Sequence, residues 1–292
     1  MIRPVVALCL LAGPALACRV ERRADLPVAL ADGFVEVPAL VNGQSARFLL
    51  DTGAGDMLVT PEAAKRLALE PDPARATRLL GTGGEGRAPN VWLDGVRLGD
   101  AALGWRSVPV TPLPSPLTAD GLLGAPLLAT YDLDLNLVAA EVGLFQVGDC
   151  PADASLLPLP FTAVPLAPAV PGSRVPAIPV VVNGVRLTAL LDTGARATSL
   201  TPGAAERVGA RVLNQDAGTT RGIDGEVMRF RLAMVSTLAV GWDTQRNMQV
   251  TVAPLDIEGA EMLLGMDWLR QRRVWVSYAT GRVLIALYHD WR

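Results

Sequence analysis

Lysine is almost missing from this chain. Its 292 residues hold one, Lys65, and every other basic residue is an arginine, set against 29 acidic residues for a formal charge of −3. No one-sided basic face is left to track a phosphate backbone, so no nucleic-acid partner is expected. Histidine is as scarce. The single one, His289, stands three residues before the C-terminal Arg292, which removes Ser-His-Asp hydrolysis and histidine-rich metal sites from consideration and leaves His289 as a tail residue. The glycine-dense run Gly81-Thr82-Gly83-Gly84-Glu85-Gly86 is not followed by a Lys-Ser or Lys-Thr pair, so it is not a phosphate-cradling loop. The six tryptophans (Trp92, Trp105, Trp242, Trp268, Trp275 and Trp291) are dispersed as packing residues are. Charge is sparse too, and with half of the residues hydrophobic the chain has enough apolar material for two modest domains.

Long apolar runs are also lacking. The stretch from Pro4 to Ala17 is 14 residues and is broken by Pro14, short of the roughly 20 residues that span a bilayer. With Arg3 ahead of it and Ala15-Leu16-Ala17 at its end, residues 1–17 read as a secretory signal peptide, and the mature protein is expected in the periplasm or outside the cell. Cleavage after Ala17 removes Cys9 and leaves two cysteines, Cys18 and Cys150, which an oxidising compartment allows to pair. A rival reading makes Cys18 a lipidated N-terminus, because Ala15-Leu16-Ala17-Cys18 loosely matches a lipobox without its usual leucine. A membrane enters as a partner only through that lipid.

What is present is a repeat. Phe48-Leu49-Leu50-Asp51-Thr52-Gly53-Ala54 returns 141 residues later as Ala189-Leu190-Leu191-Asp192-Thr193-Gly194-Ala195. Two apolar residues running into Asp-Thr-Gly read as a buried strand ending in a tight turn, which delivers a carboxylate to the end of an apolar layer. The same step takes Val41-Asn42-Gly43 to Val182-Asn183-Gly184, Thr60-Pro61 to Thr201-Pro202, Gly81 and Gly84 to Gly222 and Gly225, and Leu122-Leu123-Gly124 to Leu263-Leu264-Gly265. This is the duplication of a whole domain.

Within each copy, short apolar segments alternate with Gly, Pro and Asn-Gly punctuation, which predicts strands. Thr60-Pro61 and Thr201-Pro202 predict helix starts, the threonine capping and the proline at the first helical position. The expected fold is all-β, in two lobes with one short helix or more each: an N-terminal lobe over 26–150, a proline-rich connector with no packed element over 151–174, and a C-terminal lobe over 175–292. The arginine-bearing segment Arg19 to Asp25 reads only as polar chain.

The strand-Asp-Thr-Gly-Ala motif, the glycine-tipped hairpin and the later Leu-Leu-Gly, all duplicated in register, resemble the retropepsin-like aspartic proteases, across roughly Val28 to Leu287. The resemblance implies an aspartic endopeptidase that hydrolyses peptide bonds with a water activated by Asp51 and Asp192, one from each lobe, without metal or cofactor. It implies that Thr52 and Thr193 lock the two loops together, that Gly53 and Gly194 allow the close approach, and that the flap residues Gly81, Thr82, Gly83 and Gly84, with Gly222, Ile223, Asp224 and Gly225, close over a peptide or protein substrate. Both motifs lie on one chain, so the expected form is a monomer that is its own pseudo-dimer; pairing of lobes between chains and a catalytically silent peptide-binding protein are the alternatives. One departure stands out: Met266-Asp267-Trp268-Leu269 follows the second Leu-Leu-Gly, whereas Ala125-Pro126-Leu127-Leu128 follows the first and lacks the acid.

Overall fold

The computed structural model describes residues 18–81, 84–104, 106–114, 117–221 and 227–287. Residues 1–17, with the expected signal peptide, and His289 lie outside them.

Each half begins with a hairpin whose turn is dictated by its sequence. Asn42-Gly43 closes Phe34–Val41 on Gln44–Leu50, and Asn183-Gly184 closes Pro176–Val182 on Val185–Leu191. All four turn residues have positive φ, from 48° to 82°, a conformation that Asn and Gly tolerate and that matches the twist of a two-residue hairpin. Each asparagine is held further: the Asn42 side-chain oxygen accepts from the amides of Asp94 and Gly95, and that of Asn183 from Ser236 and Thr237. The second strand of each hairpin ends in three buried residues, Phe48 to Leu50 and Ala189 to Leu191, and so drives the Asp-Thr-Gly turn into the interior. Short helices follow at Pro61–Arg66 and Pro202–Arg207, their first turns capped by the Thr60 and Thr201 hydroxyls, which accept from Ala63 and Ala204.

The N-terminal lobe is a seven-stranded sheet with a separate three-stranded sheet, and the C-terminal lobe is a single eight-stranded sheet. A six-stranded sheet joins them, with Arg19–Pro27, Glu141–Gly148 and Asp132–Asn136 from the first half and Arg272–Ser277, Arg282–Leu287 and Thr162–Pro165 from the second. At its centre Asp132–Asn136 and Arg272–Ser277 run antiparallel, with Leu133 opposite Val276, Asp134 opposite Trp275 and Leu135 opposite Val274. Asp134 and Trp275 are the same position of the two repeats, so their pairing marks a pseudo-twofold axis between the lobes. The Arg273 guanidinium grips the Asp134 carboxylate across this seam with two bonds of 2.9 and 2.5 Å, and the Trp275 indole N–H donates to Asp132 at 3.2 Å.

Two expectations need correction. The stretch 151–174 contains packed structure: Thr162–Pro165 is an edge strand on Arg282–Leu287, with Thr162 and Val164 turned inward, and Ala167–Pro168 pairs with Ala177 and Pro176. Pro165 and Pro168 sit in these edge strands, where the missing N–H breaks no ladder. Arg19–Pro27 is likewise a strand; only Ala24 and Leu26 are buried, so its sequence carries little strand signal. Cys18 and Cys150, 132 residues apart, form a disulfide that fastens the start of this strand to the end of its partner. Of the tryptophans, Trp268 and Trp275 are buried and Trp242 is exposed, while Trp105 and Trp291 fall outside the described residues.

Candidate active site

Each aspartate is delivered by three supports that follow from local sequence. Gly121–Leu123 lies parallel beside Gln44–Leu50, and Met262–Leu264 beside Val185–Leu191, so the Leu123 and Leu264 carbonyls accept the Asp51 and Asp192 amides, each at 3.0 Å. The glycine after each Leu-Leu pair is required by space: a Cβ on Gly124 would run into the Asp56 and Ala54 carbonyls, and one on Gly265 into those of Ala197 and Ala195. Beyond it, the amides of Ala125 and Met266 donate to the Ala54 and Ala195 carbonyls at 2.8 Å and hold each turn from behind.

The two turns meet through their threonines, both fully buried. The Thr52 amide donates to the Thr193 hydroxyl at 3.0 Å and the Thr193 amide to the Thr52 hydroxyl at 3.1 Å, while each hydroxyl donates to the backbone carbonyl before the opposite aspartate, Thr52 to Leu191 at 2.6 Å and Thr193 to Leu50 at 2.5 Å. Both amides and both hydroxyls of this buried junction are used, and neither half can satisfy them alone.

The junction sets the distance between the acids. Gly53 lies so close to the Asp192 carboxyl, and Gly194 to that of Asp51, that any Cβ there would overlap it. The carboxyls are part-buried, and each lies against the glycine of the opposite loop. Asp51 accepts from the Gly53 and Ala54 amides, each at 3.0 Å, and Asp192 from the Gly194 amide at 2.8 Å. Burial raises the pKa of both above the ordinary aspartate value, since it penalises the charged form. Asp192 is raised well above it, because it also faces the negative charge of Asp51. The pair therefore holds a proton where an isolated aspartate would have lost it.

The two loops are supported differently. In the second, the Asp267 carboxylate accepts from the Thr198 amide at 2.9 Å and the Thr198 hydroxyl at 2.7 Å. The first has an exposed Pro126 and the buried Met57 at these positions, so it lacks the polar clamp and Met57 joins the apolar core instead. Thr198 escaped notice in the sequence, although the paired change from Met57 with Pro126 to Thr198 with Asp267 between the repeats was a signal that the two positions touch.

Pro71–Gly81 pairs with Gly84–Leu93, Gly81 opposite Gly84, and Arg211–Arg221 pairs with Val227–Val240. Thr82 and Gly83, and Gly222, Ile223, Asp224 and Gly225, lie outside the described residues. Among the described residues no cluster of His, Cys, Asp and Glu has the makings of a metal site.

Two family models match, one on each half. Residues 37–127 match the model described as aspartyl protease, and residues 178–271 match the model described as gag-polyprotein putative aspartyl protease. A search of curated proteins found no match. With both models falling on the two Asp-Thr-Gly halves, the chain belongs to the retropepsin-like aspartyl protease family and carries two of its domains in tandem.

Proposed function

We propose that the protein is an aspartic endopeptidase in which Asp51 and Asp192 act as one dyad, cutting peptide bonds in an extended segment bound between the lobes. The observation that carries this is the threonine junction, which brings two carboxyls from different halves against each other's loops, where burial raises the pKa of both. A pair that shares one proton has both a base and an acid at the same pH. The ionised member takes a proton from a water as that water attacks the peptide carbonyl, and the protonated member donates to the carbonyl oxygen. Collapse of the tetrahedral intermediate then delivers a proton to the leaving nitrogen, and each such transfer contributes about a hundred- to ten-thousand-fold. The hairpins 71–93 and 211–240 close over the substrate and exclude water. We also take the enzyme to be exported and to work as a monomer, and the Cys18–Cys150 bridge supports an oxidising location.

The test is to incubate the full mature chain with a peptide library beside an Asp51→Asn variant. Wild type should cleave, and the variant should lose at least about a thousandfold in rate. Equal cleavage by both, or no cleavage by either, overturns the assignment.

A further inference from the structure

A homodimeric cleft of this design is symmetric, whereas the repeat here has diverged close to the dyad. Four residues after Asp51 stands Gly55; four residues after Asp192 stands Arg196. Arg196 is exposed, and its guanidinium lies 4.9 Å from the ring centre of Phe34 in the other lobe. The register locates that ring. Glu36 pairs with Leu49, so the start of the same strand, at Phe34, runs alongside Asp51. Arg196 therefore reaches across the lobe junction to the neighbour of the opposite aspartate. The equivalent place in the other lobe is Val175, which is buried in an apolar cluster with Ala125, Ala177, Leu190 and Leu263, and Gly55 stands where the arginine would be.

No salt bridge or side-chain hydrogen bond among the described residues engages Arg196. Its counterpart region has instead Asp56, which is exposed, accepts from the Met57 amide and feels the charge of Arg106. One side of the dyad thus presents a cation without a counter-ion, and the other does not. An aromatic face holds a guanidinium in place without using its N–H donors, which stay available for a planar anion.

We propose that Arg196 is a specificity-determining residue that binds an Asp or Glu side chain of the substrate on one side of the scissile bond only, with Phe34 as its positioning residue. This rests on the endopeptidase function proposed above. An extended peptide advances about 3.3 Å per residue with alternate side chains on one face, so the positions to vary are the second to fourth residues on each side of the cut. The divergence makes the cleft directional, so that a substrate is read in one chain sense.

The test uses matched peptides with Glu, Gln or Lys at each of those positions on both sides of the cut, and reads the ratio of kcat/KM for Glu to Gln. Wild type should favour Glu on one side by about two- to fivefold, the value of a single part-exposed ion pair, and added salt should shrink the ratio. In Arg196→Ala the ratio should fall to one, in Arg196→Glu the preference should turn to Lys, and in Arg196→Lys it should persist. A role confined to latching the lobes would change stability and leave these ratios alone. An unchanged Glu preference in Arg196→Ala, or an enzyme that cuts neutral peptides with no one-sided preference, overturns the inference. Should wild type cut nothing, the endopeptidase assignment fails separately, and fluorescence anisotropy with the labelled Glu and Gln peptides decides this one: tighter binding of the Glu peptide that is lost in Arg196→Ala supports it, and equal affinities overturn it.

Discussion

Asp192 sits where a charge destabilises the fold. Its carboxyl is raised well above the ordinary aspartate pKa by burial and then by Asp51, so the native state binds a proton more tightly than the unfolded chain does. The stabilisation from that bound proton is complete below the unfolded pKa, near 3.8, and is lost as pH rises through the raised native value. Asp192→Asn carries no such loss. Its melting temperature should therefore match or fall below wild type in strong acid and exceed it at neutral pH, with cleavage abolished throughout. A variant less stable than wild type at pH 7, measured calorimetrically beside a pH 3 control, would mean that the charged carboxylate contributes to the fold. The identity of both acids and both threonines was legible in the sequence, because a spacing of 141 repeated the same four residues. Their raised pKa was not. It depends on burial and on the closeness of Asp51 to Asp192, a relation between residues far apart in the chain. Arg196 was equally silent: an arginine after Asp-Thr-Gly-Ala has no meaning until Phe34 is found beneath it.

The elements were legible where a local rule governs them. Asn-Gly gave both first hairpins and Thr-Pro both capped helices, since turn and cap chemistry act within four residues. The sheet that joins the lobes was hidden, because a composition rich in proline reads as connector, and Thr162–Pro165 needs Arg282–Leu287 beside it to become a strand. The dyad loops show how one element tolerates two chemistries. Asp267 takes two hydrogen bonds from Thr198 behind the second loop, while the first has the buried Met57 in place of Thr198 and an exposed Pro126 in place of Asp267. Asp267→Ala would leave the buried Thr198 amide and hydroxyl without this acceptor, a loss of about 1–3 kcal/mol. Urea titration should show that loss, and kcat should fall with it as the Asp192 turn loosens. Met57→Thr, by contrast, gains no acceptor opposite Pro126 and should only destabilise. If Asp267→Ala matched wild type in both stability and kcat, the clamp would be incidental to the loop.

At the scale of the molecule, the two halves are one folding unit. Three strands from each half share a sheet, Asp134 and Arg273 pair across it, and the threonine junction is complete only when both halves are present. The outer edge of that sheet is its weak side, since Arg19–Pro27 buries just Ala24 and Leu26 and has Glu141–Gly148 as its neighbour in the sheet. The Cys18–Cys150 bridge closes a loop of 132 residues over the whole first lobe, and it also pins this strand. Closing a loop of that length in the unfolded chain removes conformational entropy worth up to about 5 kcal/mol, by the chain-entropy account. The oxidised protein should therefore unfold at distinctly higher urea than the Cys18→Ser, Cys150→Ser double variant, and reductant should erase the difference by lowering wild type alone. Mass spectrometry of the mature protein without reduction should show a chain two hydrogens lighter than the dithiol. A diacylglycerol on Cys18 with a free thiol on Cys150 would place the protein on a membrane. It would also leave the edge strand without its covalent tie, and wild type and double variant would then unfold together.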